Sequence, residues 1–355
     1  MRRPFLKPAT VTGLVTVALL AIPVSPLGAT ATSVYVSGAQ GALSSVSCPS
    51  AAFCMAVGWD GVRTIVDTYT GGTWETSTAN IGAPTGLSCA SATDCIAVGH
   101  ERTGAYRYDG TNWHPVLSLS NSEFQSVGCA APNTCTLVTK SSLFVLTGSV
   151  PNVVQVTGAG QDEQFYACTS SSYCLGVGSG GQDPELPSAA VFANGSWSTS
   201  PIPQAGFNTQ PFAVACGQPD NCTTVGEVSD DLDPDGVAVE ELSAGNWSIP
   251  RVSNQPSSYD YDTLMAVSCS AVTDICTGTG NDKGWGSAAP VYSFIDLGTP
   301  GSSSPWTFLM LPATVGQPSA SCPTLTSCVA VGVQTVKGVQ RTVLQTWDGH
   351  AWSRG

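Results

Sequence analysis

Ser47-Cys48-Pro49-Ser50-Ala51-Ala52-Phe53-Cys54-Met55-Ala56-Val57-Gly58 is the stretch on which the reading of this chain turns. Two cysteines separated by five residues flank a turn, and an apolar run ending in glycine follows. The same arrangement returns along the chain, pairing Cys48 with Cys54, Cys89 with Cys95, Cys129 with Cys135, Cys168 with Cys174, Cys216 with Cys222, Cys269 with Cys276 and Cys322 with Cys328. First cysteines lie 41, 40, 39, 48, 53 and 53 residues apart, a period that belongs to propellers and similar arrays. Gly58, Gly99, Gly178, Gly226, Gly280 and Gly332 each stand four residues beyond the second cysteine, and Thr139 takes that place in the third copy.

Each copy continues with an alternating segment such as Arg63-Thr64-Ile65-Val66-Asp67-Thr68-Tyr69, whose period of two marks a strand. A glycine turn and a tryptophan follow: Gly72 then Trp74, Gly110 then Trp113, Gly195 then Trp197, Gly245 then Trp247, and Gly349 then Trp352. The sixth copy has a longer form reaching Trp306, and the third a degenerate Gly148-Ser149-Val150. One unit therefore reads as four strands: A ends at the first cysteine, B starts at the second, C precedes the glycine turn and D starts at the tryptophan. The expected fold is all-β, a seven-bladed β-propeller of four-stranded blades with one disulfide in each. Two separate all-β domains are the alternative, which the unbroken period opposes. Radial packing leaves no long sheet edge open, and the tryptophans are expected to pack between blades.

The ends of the chain carry two further expectations. After Trp352 only Ser353, Arg354 and Gly355 remain, so Ser33-Val34-Tyr35-Val36-Ser37 is expected to complete the seventh blade and close the ring. Before it, Arg2, Arg3 and Lys7 precede an uncharged apolar run from Val11 to Val24 and the small residues Ala29-Thr30-Ala31. That is the pattern of an export signal, giving a leader over 1–31 and a propeller over 32–355. The run is interrupted by Pro23 and is short for a membrane span. The mature chain is expected outside the cytoplasm, secreted or associated with the cell envelope, without membrane insertion, and as a monomer.

Paired cysteines in an exported chain imply disulfides. Zinc sites normally use tighter C-x-x-C knuckles, so a metal role for these cysteines is disfavoured. Without the leader the chain keeps nine basic and 25 acidic residues, a surface that repels nucleic acid and anionic lipid.

In such a propeller the A–B and C–D turns emerge on one face and the B–C and D–A loops on the other. The loops vary more in length and carry more charge, so a ligand is expected on their face. Candidate binding residues there are Trp59, Asp60, Arg63, His100, Glu101, Arg102 and Trp285 from B–C loops, and Tyr166, Tyr259 and Tyr261 from D–A loops. Rings beside carboxylates suit a glycan or a protein patch, and an ordinary solvated surface is the plain alternative. Asp231, Asp233 and Asp235 precede Gly236 in the manner of a calcium loop. The twelfth position is Leu242, however, and Pro-Asp-Gly is an ordinary turn, which is the preferred reading. No other cofactor is indicated. His100, His114 and His350 are the only histidines, and no nucleophile elbow, phosphate loop or H-E-x-x-H is present. Paired carboxylates for glycoside hydrolysis stay open.

The core from Ser47 to Gly58, matched less closely from Ser321 to Gly332, together with the corner Trp347-Asp348-Gly349-His350-Ala351-Trp352, resembles secreted propeller-repeat proteins of actinobacterial type. That resemblance covers nearly the whole mature chain, and most proteins of this type have no assigned function; a non-catalytic binding or interaction propeller is the first reading of the chain's role. Asp109-Gly110-Thr111-Asn112-Trp113 is more distantly similar to the Asp-box turn of sialidase-type propellers, with the aspartate adjacent to the glycine instead of two residues before it. This implies a glycoside hydrolase or lyase as the alternative function. No motif assigns the sialidase arginine triad among Arg63, Arg102, Arg107, Arg251, Arg341 and Arg354. A structural role in the envelope is a third possibility.

Overall fold

Every cysteine pair seeds a sheet. The computed structural model describes residues 40–99, 104–118, 123–139, 142–147, 154–157, 163–170, 172–180, 186–206, 208–229, 236–250, 252–253, 262–270, 275–283, 291–298, 300–301, 306–310, 316–324, 326–350 and 352–354. Among these residues there is no helix, none therefore long and apolar enough to cross a membrane, and the strands form seven sheets. Sheet I comprises strands A (Ala42–Ser50), B (Phe53–Trp59), C (Thr64–Thr70) and D (Thr73–Ala79), antiparallel and hydrogen-bonded in that order. Strand A begins at Pro84 in sheet II, Phe124 in III, Glu163 in IV, Asn208 in V, Asp262 in VI and Gly316 in VII.

All seven expected disulfides are present, each within its own A–B hairpin and with Cα atoms 3.9–4.1 Å apart. Cys48 is bonded to Cys54, Cys89 to Cys95, Cys129 to Cys135, Cys168 to Cys174, Cys216 to Cys222, Cys269 to Cys276 and Cys322 to Cys328. The strand B member of every pair is buried. Cys54, Cys95, Cys135, Cys174, Cys222, Cys276 and Cys328 all belong to the apolar clusters between sheets, so these sulfurs are core atoms as well as cross-links and none is presented to a ligand.

Alternation decides what each strand packs against. In sheet I, Phe53, Met55 and Val57 point toward sheet II, where they meet Leu87 and Ala97, while Cys54 and Ala56 point the other way, toward Val329 and Val331 of sheet VII. Apolar clusters of this kind lie between each pair of consecutive sheets, and between sheets VII and I. A fully buried Leu, Ile or Val contributes about 1.5–3 kcal/mol, so the clusters hold neighbours together as much as they hold each sheet. The tryptophans belong to these clusters: Trp113 packs at the I–II junction, Trp197 at III–IV, Trp247 at IV–V and Trp306, fully buried, at V–VI.

The recurrent glycine has a steric cause. Strand A carries a bulge between Leu43 and Ser45, which brings its backbone over Gly58 of strand B. A Cβ added at Gly58 would sit 2.0 Å from the Ala42 carbonyl oxygen, and one at Gly226 would sit 1.9 Å from that of Gln210. Only glycine fits beneath the bulge. In sheet III the exception, Thr139, is buried with its hydroxyl donating to the Ser142 carbonyl.

One expectation about sheet edges changes. Sheet VI has a fifth strand, Val252–Ser253, which pairs in parallel with strand D (Trp306–Met310) as the chain passes from sheet V to sheet VI. In sheet VII the fourth position is taken by Trp352–Arg354, because the Asp348-Gly349 corner returns the chain and sets Trp352 opposite Trp347. The segment 33–37 lies outside the described residues. Gln40, just after it, bridges Arg341 in antiparallel fashion, and the Gly41 N–H donates to the Gln340 carbonyl, farther along the same strand.

Candidate functional site

The first strands of sheets I, II, III, V, VI and VII line a cavity of about 410 Å³. Their side chains there are small and uncharged, with Ser45, Ser47, Ser88, Ser126, Ser268 and Ser321 supplying hydroxyls. Several of those hydroxyls are already used. Ser47 Oγ accepts from the Cys89 N–H at 3.0 Å, Ser88 Oγ from the Cys129 N–H at 2.9 Å, and Ser321 Oγ from the Cys48 N–H at 3.1 Å. The serine before the first cysteine thus satisfies an edge donor of the next sheet, which a strand without an outer partner would otherwise leave open. Among the described residues, the cavity lining offers no carboxylate and no imidazole.

The loop face starts from Trp59, Asp60 and Arg63. Trp59 is half-buried at the end of strand B. Asp60 Oδ1 accepts the N–H groups of Val62 at 2.7 Å and Arg63 at 2.5 Å, and Arg63 Nε lies 3.8 Å from Asp60 Oδ2. Donation from the Arg63 and Val62 amides holds this carboxyl below its ordinary value. The result is a tight turn that presents Val62, 76% exposed, and the Arg63 side chain to solvent. Tyr166 is placed differently from expectation. It lies in strand A of sheet IV, 2% exposed, stacked edge-on against Trp197, with its hydroxyl donating to the Glu163 carbonyl. Alternation points it into the III–IV junction, so it packs the core and presents no ring to a ligand.

His100, Glu101, Arg102, Tyr259, Tyr261, Trp285, Asp231, Asp233 and Asp235 lie outside the described residues. The carboxylates nearest the missing twelfth calcium position are in use elsewhere. Glu240 Oε2 accepts from Thr224 Oγ1 at 3.0 Å, and Glu241 accepts from the Trp306 indole at 2.6 Å and the Gly301 N–H at 2.9 Å. Leu242 is buried.

Sequence reasoning missed a polar groove of about 350 Å³ on the opposite, turn-bearing face, between sheets II and III. Its base is an ion pair, Asp94 Oδ1 to Arg107 Nε at 3.1 Å, with both side chains largely buried. Asn133, in the A–B turn of sheet III, ties into that pair twice: its N–H donates to Asp94 Oδ2, and its Oδ1 accepts from Arg107 Nη1 at 3.2 Å. At the rim, Asp109 Oδ1 accepts the N–H groups of Thr111 and Asn112, each at 2.8 Å, and Oδ2 accepts from His114 Nε2 at 2.8 Å. The Asn112 amide, the His114 ring and the Thr111 amide bring the Asp109 carboxyl down to about 2. One signal was present in the sequence. Of the seven residues that precede a second cysteine, Asp94 alone is charged.

No protein-family description matches the chain, and no curated protein matches it in sequence. Similarity appears in solved structures. The structure of streptogramin B lyase superposes with a TM-score of 0.55 at 10% identity, covering 89% of this chain and 97% of that one. A complex of KlAtg21 with the coiled coil of AgAtg16 gives 0.53 at 10% identity, covering 83% and 95%. At this identity the likeness concerns fold alone. Together with the sheet arrangement it defines an all-β, disulfide-bonded protein of the β-propeller class.

Proposed function

We propose that this chain is an exported, non-catalytic binding propeller of seven blades whose B–C and D–A loops recognise a protein or glycan outside the cell. Three features support ring closure. Sheet VII packs on sheet I through Val329, Val331 and Leu344, the Ser321–Cys48 bond repeats the serine bonds of other junctions, and Gln40 pairs with Arg341. The basic and apolar leader, with seven disulfides, supports export.

One observation carries the binding reading. The large apolar side chains most exposed among the described residues are Val62, Leu186, Ile249 and Met265. Val62 is at a B–C loop tip, Leu186 follows another B–C loop, Ile249 leads into a D–A segment, and Met265 lies near the D–A end of its strand. Val62, Leu186 and Met265 put apolar area toward the loop face, which, with small hydroxylated residues lining the cavity between the A strands, suits a partner surface. Of the two ligand classes, a protein fits these aliphatic anchors better.

The test is retention of the mature protein on a glycan array and on immobilised extracellular proteins, with released products assayed in parallel. Retention on an immobilised protein without product, weakened at least tenfold by Val62→Asp with Met265→Asp and unchanged by His114→Ala, is the expected result. Turnover of a retained oligosaccharide would overturn the reading in favour of the hydrolase or lyase.

A further inference from the structure

We infer that the groove between sheets II and III is a second binding site, on the face opposite the loops, which takes a neutral saccharide of one or two rings. This inference is independent of what the loop face binds.

The groove departs from the repeat that surrounds it. Where sheet II has Asp94, the other sheets have Phe53, Thr134, Tyr173, Asn221, Ile275 and Ser327, so the repeat asks for no carboxylate there. Removing two charges from water carries a large desolvation cost, and their attraction only partly offsets it. Packing alone is served as well by the uncharged residues of the other junctions. What the pair does in addition is fix the walls. By gripping both the backbone and the side chain of Asn133, it locks the turn of sheet III against the corner of sheet II. A site held in shape before its ligand arrives loses less entropy on binding.

The remaining groups define the ligand. Asp109 is ionised and oriented by its two backbone donors, and the side chains of Asp109 and His114 are 47% and 58% exposed. With Nε2 donating to Asp109, a neutral His114 keeps Nδ1 as an acceptor. Thr93 and Ser91 add hydroxyls on the other rim, and Pro115 and Pro132 add apolar ring faces. Carboxylate, imidazole and hydroxyls close together match the alternating donors and acceptors of a sugar's hydroxyl groups, and the proline rings match its C–H face. Two carboxylates against one guanidinium leave the groove with excess negative charge, which disfavours acidic sugars and phosphate. A volume of about 350 Å³ falls at the small end of ligand pockets, which span about 300–1,000 Å³.

Maltose, cellobiose and di-N-acetylchitobiose, with glucuronic acid as the anionic comparison, are titrated into the mature protein. The His114 imidazole proton signals are followed by NMR and the affinity by calorimetry. At least one neutral disaccharide is expected to shift His114 saturably, to bind at least tenfold more weakly to Asp109→Asn and to His114→Ala, and to bind equally well to Glu75→Ala, on strand D of sheet I. Unchanged melting of the two groove variants separates lost recognition from lost fold. The inference is overturned if no neutral disaccharide moves His114, if glucuronic acid binds better, or if Glu75→Ala abolishes binding while the groove variants retain it. Loop-face retention in the array experiment survives any of these outcomes, so the two readings fail separately.

Discussion

Two arcs of the molecule solve the same problem with different residues. From sheet VII through I and II to III, each first strand is tied to the next by a serine hydroxyl, with Ser321, Ser47 and Ser88 accepting from the cysteine amide of the following sheet. From sheet III to VI the residues at that place are Gly128, Ala167 and Ala215, which bring no hydroxyl. In this arc the III–IV junction keeps an inner tie, with Ser126 Oγ donating to the Tyr166 carbonyl at 2.6 Å, while the V–VI junction is braced farther out. Glu241, on strand C of sheet V (Gly236–Ser243) and 2% exposed, accepts from both the Trp306 indole and the Gly301 amide of sheet VI. A fold of this class needs its neighbours joined, and the join can lie at the inner strand or in the layers outside it. The inner join uses uncharged groups, whereas the outer one buries a carboxylate.

The comparison can be broken at its strongest point first. Glu241→Ala strands a buried indole N–H and a backbone N–H together, each costing about 1–3 kcal/mol. Urea unfolding is expected to show a loss of about 2–5 kcal/mol, and an unchanged midpoint would mean that the brace contributes nothing.

Glu240, the next residue back, sharpens the contrast through pH. It faces the other junction, has one hydroxyl partner, and is pushed by burial to about 7. Between about 4.5 and 7 the folded state then holds a proton that the unfolded chain has released, so stability falls as pH rises through that window and levels off above it. The swing is on the order of 3 kcal/mol, and Glu240→Gln is expected to flatten it in melts taken from pH 5 to 8. Asp67, at the matching place in sheet I, is also raised by burial, with partial relief from the Thr76 hydroxyl. Asp67→Asn is therefore expected to change the slope in the same direction.

Smaller effects belong to the inner join. Ser47→Ala removes one hydrogen bond and is expected to lower stability by about 1 kcal/mol. Ala215→Ser offers the second arc the hydroxyl of the first, and a gain of about 0.5 kcal/mol, read as a higher denaturant midpoint, is the outcome that would make the arcs interchangeable.

The repeat was legible because local chemistry enforces it. A cysteine pair flanking a tight turn, an alternating strand and a glycine-tryptophan corner each act within one hairpin, and the structure places them accordingly. The reason for Gly58 was not legible, since it depends on a bulge in the facing strand. Tyr166 was misplaced by a few residues at a strand start, where one step of alternation turns a loop ring into a core ring. The groove depends on Asp94, Arg107 and Asp109 of one repeat meeting Asn133 of the next. A contact between repeats leaves no spacing rule, and only the singularity of Asp94 marked it.

Each disulfide here joins residues six or seven positions apart, inside one hairpin. The right mate for the first thiol of every pair is therefore also the next one to emerge when the chain appears from its N-terminus. Oxidation can proceed in step with emergence, one hairpin at a time, without holding a sulfur in reserve for a distant mate or reshuffling an early mistake.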